Sequence, residues 1–181
     1  MGGDERIRLF CALRLPEEAI TGVAEWQGET FADVRDVRVV PRHNLHLTLA
    51  FLGHRPAAEV DAILDELRAA AAEAGPMHFT LRRYRETRSV GMLTFEDDAE
   101  AAGKLAADLH ARLERLGVYK PEQRPWLPHL TVLRFRRPPR LRPELPVLAP
   151  FSPSDAALYH SVLRSGGAQY EVIEAAALGE R

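Results

Sequence analysis

Apolar and polar residues alternate along RIRLFCALRL (6–15), the period of a strand with one buried face, and β-favouring residues stand at its start. Pro16 then opens PEEAITGVAEWQGETFADV (16–34), whose acidic residues fall in the first turn, as at a helix start. VRVV (37–40) and NLHLTLAFLG (44–53) follow as strands, the second expected to end at Gly53. AAEVDAILDELRAAAAEAG (57–75) is the clearest helix: Val60, Ile63, Leu64 and Leu67 make one stripe, and Gly75 with Pro76 stops it. MHFTLRRYRETRS (77–89) and VGMLTFED (90–97) read as a pair of strands. A helix from about Ala99 to Leu116 carries Leu105, Leu109, Leu113 and Leu116 at helical spacing and ends at Gly117. HLTVLRF (129–135) is a strand, and the proline-heavy RRPPRLRPELPVLAP (136–150) is a surface connection. DAALYHSVLRS (155–165) and AQYEVIEAAAL (168–178) pair as a hairpin across Gly166 and Gly167.

The resulting order is strand, helix, strands, helix, strands, helix, strands. It is neither a regular βαβα alternation nor an all-β pattern, which predicts an α+β fold with mainly antiparallel sheets. His-Leu-Thr occurs twice, at 46–48 and 129–131, each copy in a strand beside similar strand and helix units. That repetition predicts an internal duplication with a rough two-fold relation. No Pro/Gly/Ser linker separates two independent units, so residues 1–181 are expected to form one bilobal domain.

Successive strand side chains face opposite sides, so His46 and Thr48 share a face while Leu47 and Leu49 turn into the core. The same holds for His129 and Thr131 against Leu130 and Val132. If the two strands face each other, two imidazoles and two hydroxyls line one cleft. Opening a phosphodiester with water needs a base for the water proton and an acid for the leaving oxygen. Two histidines near pH 7, one neutral and one protonated, supply both. The threonine hydroxyls can donate to the non-bridging phosphate oxygens, where charge gathers in the transition state. This chemistry requires no metal.

A single His-x-Thr occurs by chance in many proteins; two copies in matching strand contexts favour function for His46 and His129. The other histidines take the opposite reading. On one continuous strand His43 and His46 would face opposite sides, which argues against a shared metal. His54, His78, His110 and His160 stand in no motif and are expected at the surface or in local hydrogen bonds.

Composition narrows the picture. A chain of 181 residues with net charge −2 is not a general nucleic-acid-coating protein, though a local cationic site is allowed. Lys104 and Lys120 are the only lysines, and RRYRETR (82–88) and RFRRPPRLR (134–142) concentrate guanidinium groups suited to forked phosphate recognition. For most of these arginines a solvated strand edge or loop is the simpler reading. Cys11 is the sole cysteine, which excludes an intrachain disulfide and fits a reducing compartment. The start of the chain shows no charged segment followed by an apolar one, and no run is long enough to span a bilayer. A soluble, cytoplasmic protein is expected, and nothing points to an obligate oligomer, so a monomer is expected.

RLFCALRLP (8–16), NLHLTLAFLG (44–53), WLPHLTVLRF (126–135) and LYHSVLRSGGAQYEVIE (158–174) together resemble the bacterial and archaeal RNA 2′,3′-cyclic phosphodiesterases, also known as 2′–5′ RNA ligases, of the 2H phosphoesterase superfamily. The likeness extends over nearly the whole chain. The paired His-x-Thr motifs define the superfamily, and Pro128 and the Ser…Gly…Tyr tail narrow the branch. The resemblance implies two pseudo-symmetric lobes with antiparallel sheets and outer helices around a central cleft. It implies hydrolysis of a terminal 2′,3′-cyclic phosphate to a 2′-phosphate and a free 3′-hydroxyl, without a cofactor or metal. It also implies that His46 is the acid, His129 the base, and Thr48 and Thr131 the phosphate holders. The residues alone leave the two histidines interchangeable.

Phe51 and Arg134, each five residues after its motif histidine, match family positions that contact the terminal nucleotide. An aromatic ring and a guanidinium can sandwich a base. On an ideal strand an offset of five faces away from the histidine, so each strand must bend or bulge for these residues to reach the cleft. Leu133 departs from the small residue frequent before the second-motif arginine, and ETRSVGMLTFED (86–97) matches the family weakly.

The partner expected is RNA with a 2′,3′-cyclic phosphate end or a cyclic nucleotide. Alternatives are a phosphodiesterase acting on small cyclic nucleotides, ADP-ribose cyclic phosphate or 2′–5′ linkages, and a non-catalytic module that binds RNA ends.

Overall fold

The computed structural model describes residues 5–179. In chain order its elements are β1 (Arg6–Arg14), α1 (Glu17–Phe31), β2 (Val37–Val39), β3 (Leu47–Pro56), α2 (Val60–Glu73), β4 (Phe79–Glu86), β5 (Val90–Asp97), α3 (Ala101–Arg115), β6 (His129–Phe135), β7 (Asp155–Arg164) and β8 (Gly167–Ala176). The strands form two four-stranded sheets, β3-β1-β7-β8 and β2-β6-β5-β4, with every pairing antiparallel. This is the α+β arrangement with antiparallel sheets anticipated from the element order. The chain crosses between the sheets four times: from β1 to β2, back to β3, across again to β4, and from β6 back to the C-terminal hairpin beside β1.

The helix ends follow local chemistry. Gly117, at φ 80°, closes α3 as its N–H bonds the Glu114 carbonyl (2.9 Å) and the next N–H bonds Leu113 (3.1 Å). Gly53 behaves differently from expectation. It does not end β3, which runs on to Pro56. The register steps from Leu9 opposite Gly53 to Phe10 opposite Phe51, leaving Leu52 as an extra residue, and Gly53 at φ 68° absorbs the left-handed backbone.

A second irregularity positions the motif strands. Cys11 pairs with Ala50 and Ala12 with Thr48, so Leu49 is extra in β3. Gly91 pairs with Leu133 and Met92 with Thr131, so Val132 is extra in β6. Each bulge lies three residues after a motif histidine and flips the parity of the residues that follow it, in β3 as far as the second bulge at Leu52. In sequence the trace is two consecutive buried apolar residues, Leu49–Ala50 and Val132–Leu133.

At each bulge a helix side chain donates to the extra residue's carbonyl, which at Val132 also accepts the Val40 N–H (2.9 Å). His110 of α3 donates through Nε2 to the Leu49 carbonyl (2.7 Å), and its ring rests against Tyr119 at 4.8 Å. Buried Gln27 of α1 donates through Nε2 to the carbonyls of Val132 (2.9 Å) and Val40 (3.2 Å). His110 is thus a long-range tie rather than the surface or locally bonded residue expected. Beneath both lobes one continuous apolar cluster takes in residues of both sheets and all three helices, among them Leu13, Val23, Leu67, Leu93, Leu109 and Leu130.

Replacing Gln27 by Leu keeps the apolar volume but strips the buried Val40 carbonyl of its side-chain donor. The expected cost is about 1–3 kcal/mol, read from urea denaturation midpoints at unchanged slope. A loss below about 0.5 kcal/mol would mean that water or a backbone shift replaces the amide.

Candidate active site

The two motif histidines are oriented by the same device. His46, immediately before β3, places Nδ1 2.8 Å from the Asn44 carbonyl, and His129, the first residue of β6, places Nδ1 2.9 Å from the Leu127 carbonyl. A carbonyl only accepts, so the proton sits on Nδ1 in both rings and the neutral imidazole keeps its lone pair on Nε2. The Nε2 of His46 lies 2.9 Å from the Thr48 hydroxyl and accepts from it while the ring is neutral.

A cavity of about 110 Å³ brings together His46, Thr48, Phe51, Thr131 and Arg134. His129 does not line it, although it is close enough for its charge to disfavour protonation of His46. Phe51 is 49% exposed, so it is not a core phenylalanine. Both offset-five residues reach the histidine side because of the bulges at Leu49 and Val132. One face of the Phe51 ring is already covered: the Arg8 guanidinium sits 4.8 Å from its centroid, a cation–π contact.

Sequence reasoning did not find Arg8, Phe10, Asn44, Ser161 and Tyr170, which complete the walls. Arg8 and Phe10 lie on the face of β1 opposite Leu9 and Cys11, but alternation alone does not say what that face meets. Asn44 donates through Nδ2 to the Ala168 carbonyl (2.8 Å), tying the turn before His46 to the start of β8, while its buried Oδ1 has no partner among the described residues. His43 stands exposed in the 3₁₀ turn Arg42–Asn44, off the strand altogether.

Aromatic rings desolvate His46. Phe10 lies 4.8 Å from its centroid, Tyr170 meets it edge-on at 5.3 Å, and Tyr159 follows at 5.9 Å. Burial is the main reason its pKa falls to about 4; the positive charges of Arg134 and His129 push the same way, and the Asn44 carbonyl opposes them.

The chain belongs to the 2′-5′ RNA ligase superfamily, whose family model matches residues 15–163. It is 34% identical over 177 residues to an RNA 2′,3′-cyclic phosphodiesterase of Thermus thermophilus, covering 93% of this chain and 88% of that one. An Escherichia coli protein of the same name is 33% identical over 132 residues, covering 70% of this chain and 71% of its own. Among solved structures, TT0787 of Thermus thermophilus superposes with a TM-score of 0.83 at 31% identity, covering 97% of this chain and all of that one. Escherichia coli LigT in apo form gives 0.83 at 28% identity, covering 98% of this chain and 100% of its own. The two antiparallel sheets and three helices are therefore those of the 2H phosphoesterase fold.

The His46 environment has a measurable consequence. Its ordinary pKa of 6.5 drops to about 4 on folding, so between those values the unfolded chain holds a proton the native ring excludes. Its contribution to stability is complete above pH 6.5 and is lost as the pH falls towards 4. Titration of the ring resonances by NMR is expected to show His46 midpoint near 4, rising when inorganic phosphate binds. A midpoint at the ordinary value would contradict the desolvated geometry.

Proposed function

We propose that the protein hydrolyses RNA 2′,3′-cyclic phosphate ends to a 2′-phosphate and a free 3′-hydroxyl, with His129 as base and His46 as acid. The observation that carries this reading is the matched pair of imidazoles, each with Nδ1 committed to a carbonyl two residues upstream and Nε2 left for chemistry. Relatives named RNA 2′,3′-cyclic phosphodiesterase support the activity. LigT has been solved with 3′-AMP, ATP and phosphate, which supports nucleotide and phosphate recognition by this fold.

In this scheme the Nε2 of His129 takes a proton from water as the water oxygen attacks phosphorus. The bond from phosphorus to the 3′-oxygen breaks, and the Nε2–H of His46 protonates that oxygen. Hydroxyls of Thr48 and Thr131 hold the non-bridging oxygens as negative charge builds on them, while Arg134 contacts the terminal nucleotide. Two imidazoles thus supply acid and base with no step left for a metal.

A pKa of about 4 leaves His46 unprotonated at neutral pH, which is wrong for an acid in the free protein. An anionic phosphodiester beside the ring reverses the local balance, because opposite charge favours the imidazolium. Protonation also reorganises the pair with Thr48. Once Nε2 carries a proton it no longer accepts, so the hydroxyl proton turns towards phosphate and the Nε2–H towards the leaving 3′-oxygen. Substrate binding is thereby coupled to charging of the acid. The choice of His129 as base is supported by its Nε2, which has no hydrogen-bond partner among the described residues.

The test is an oligoribonucleotide ending in 2′,3′-cyclic phosphate, incubated in excess EDTA with wild type, His46→Ala and His129→Ala. Wild type is expected to form only the 2′-phosphate, with a bell-shaped pH–rate profile, and each variant to lose about 10²–10⁴ in kcat. Untouched ends with folded wild type, or a 3′-phosphate product, would overturn the activity. Inhibition by EDTA would overturn the metal-free scheme.

A further inference from the structure

Arg38 of β2 stands directly opposite Arg134 of β6 in the antiparallel ladder. Like charges in that position weaken a sheet. Neither guanidinium is within ion-pair distance of a carboxylate among the described residues, and the same is true of Arg35, Arg136 and Arg137. Arg38 also lies close against Gly167, where a Cβ would come within 3.2 Å of its Nη1, so it reaches across to the β7–β8 turn of the other sheet.

These arginines form a path. From the catalytic cavity, Arg8, Asn44, Arg134 and Tyr170 continue into a groove of about 540 Å³ that also includes Arg38 and Arg164. Arg38 and Arg134 then border an outer groove of about 900 Å³, walled by Arg35, Arg136 and Arg137 and by one acidic residue, Asp36. The chain's net charge is −2, so this is a local concentration of positive charge and not a general one.

The outer groove is also preformed. The segment carrying Arg136 and Arg137 begins at Phe135, whose N–H bonds the Ser89 carbonyl at 3.0 Å. Further on, the Glu86 carboxylate accepts the N–H groups of Arg140 (2.9 Å) and Leu141 (2.8 Å) as well as the Tyr84 hydroxyl (3.1 Å). Trp26 donates to the Glu144 carbonyl at 2.8 Å. A tethered arginine loop loses little conformational freedom on meeting a polyanion.

We infer that this groove binds the phosphates of the RNA strand that precede the cyclic end, so that the protein grips an RNA end by several nucleotides. The inference rests on the proposed function for its choice of strand and polarity. A phosphate between Arg38 and Arg134 explains why two like charges are held face to face, and forked guanidinium donors suit such an oxyanion.

The experiment compares cyclic-ended substrates of one, three and six nucleotides, alongside fluorescence anisotropy of matching 2′-phosphate oligonucleotides. In wild type, kcat/KM is expected to rise about tenfold or more from one to six nucleotides, mainly through KM, and the rise to vanish in high salt. Arg35→Gln/Arg136→Gln/Arg137→Gln, all at exposed positions, is expected to abolish the length dependence while the mononucleotide rate stays within about twofold. Its binding of the hexanucleotide should lose about 2 from the slope of log K against log salt, at about 0.7 per phosphate contact. Equal kcat/KM at every length, or an unchanged salt slope in the folded variant, would overturn the inference and leave the proposed function standing. If no cyclic end is hydrolysed, the proposed function fails. Anisotropy then decides alone: length-dependent binding lost in the variant supports the groove, and its absence refutes it.

Discussion

Two extra residues, Leu49 in β3 and Val132 in β6, decide what the cleft contains. A regular strand would carry Thr48 and Thr131 with the histidines but send Phe51 and Arg134 to the opposite side. The bulges reverse that parity at the same place in both strands. The bulged backbone also takes donors from the helices, with the Val132 carbonyl accepting one in addition to the Val40 N–H (2.9 Å). The donors are side chains, His110 from α3 and Gln27 from α1. Helix-to-strand hydrogen bonds that lie outside the cleft thus brace both bulges.

The pseudo-symmetry is one of backbone more than of side chains. Both histidines are held through Nδ1 by a carbonyl two residues upstream, and both strands bulge three residues later. Beyond that the halves diverge. His46 is packed among Phe10, Tyr159 and Tyr170, whereas His129 lies off the wall of the cavity. One offset-five position holds an aromatic ring and the other a guanidinium. These differences give two imidazoles with the same backbone anchoring different surroundings, and burial lowers the proton affinity of His46.

Charge unifies the rest. Burial and the positive charge of Arg134 keep His46 neutral, so the anion that it would serve is also the species that charges it. The same guanidinium excess, carried outward by Arg38 and the tethered loop after β6, makes a surface that opposite charges within the protein do not neutralise. Attraction for phosphate at the reacting centre and along the strand leading to it has one physical source.

Much of this protein was legible in the chain. Alternation and stripe spacing located the strands and helices, with errors where a bulge intervened, as when Gly53 read as a strand end. The duplicated His-x-Thr marked His46, Thr48, His129 and Thr131 because side-chain parity over two residues is local, and the offset of five itself implied a bulge. Which residue would bulge, and that His110 and Gln27 would support it, depended on contacts across 61 and 105 positions in sequence. Arg8, Phe10, Ser161 and Tyr170 were invisible for the same reason: a strand pattern shows that a face exists, but only sheet order decides which cavity that face meets. The arginines looked like an ordinary solvated set until strand pairing placed Arg38 opposite Arg134. Local stereochemistry wrote the elements and the candidate site residues into the sequence. Long-range pairing decided their environments, because desolvation and electrostatic coupling depend on distance in space and not along the chain.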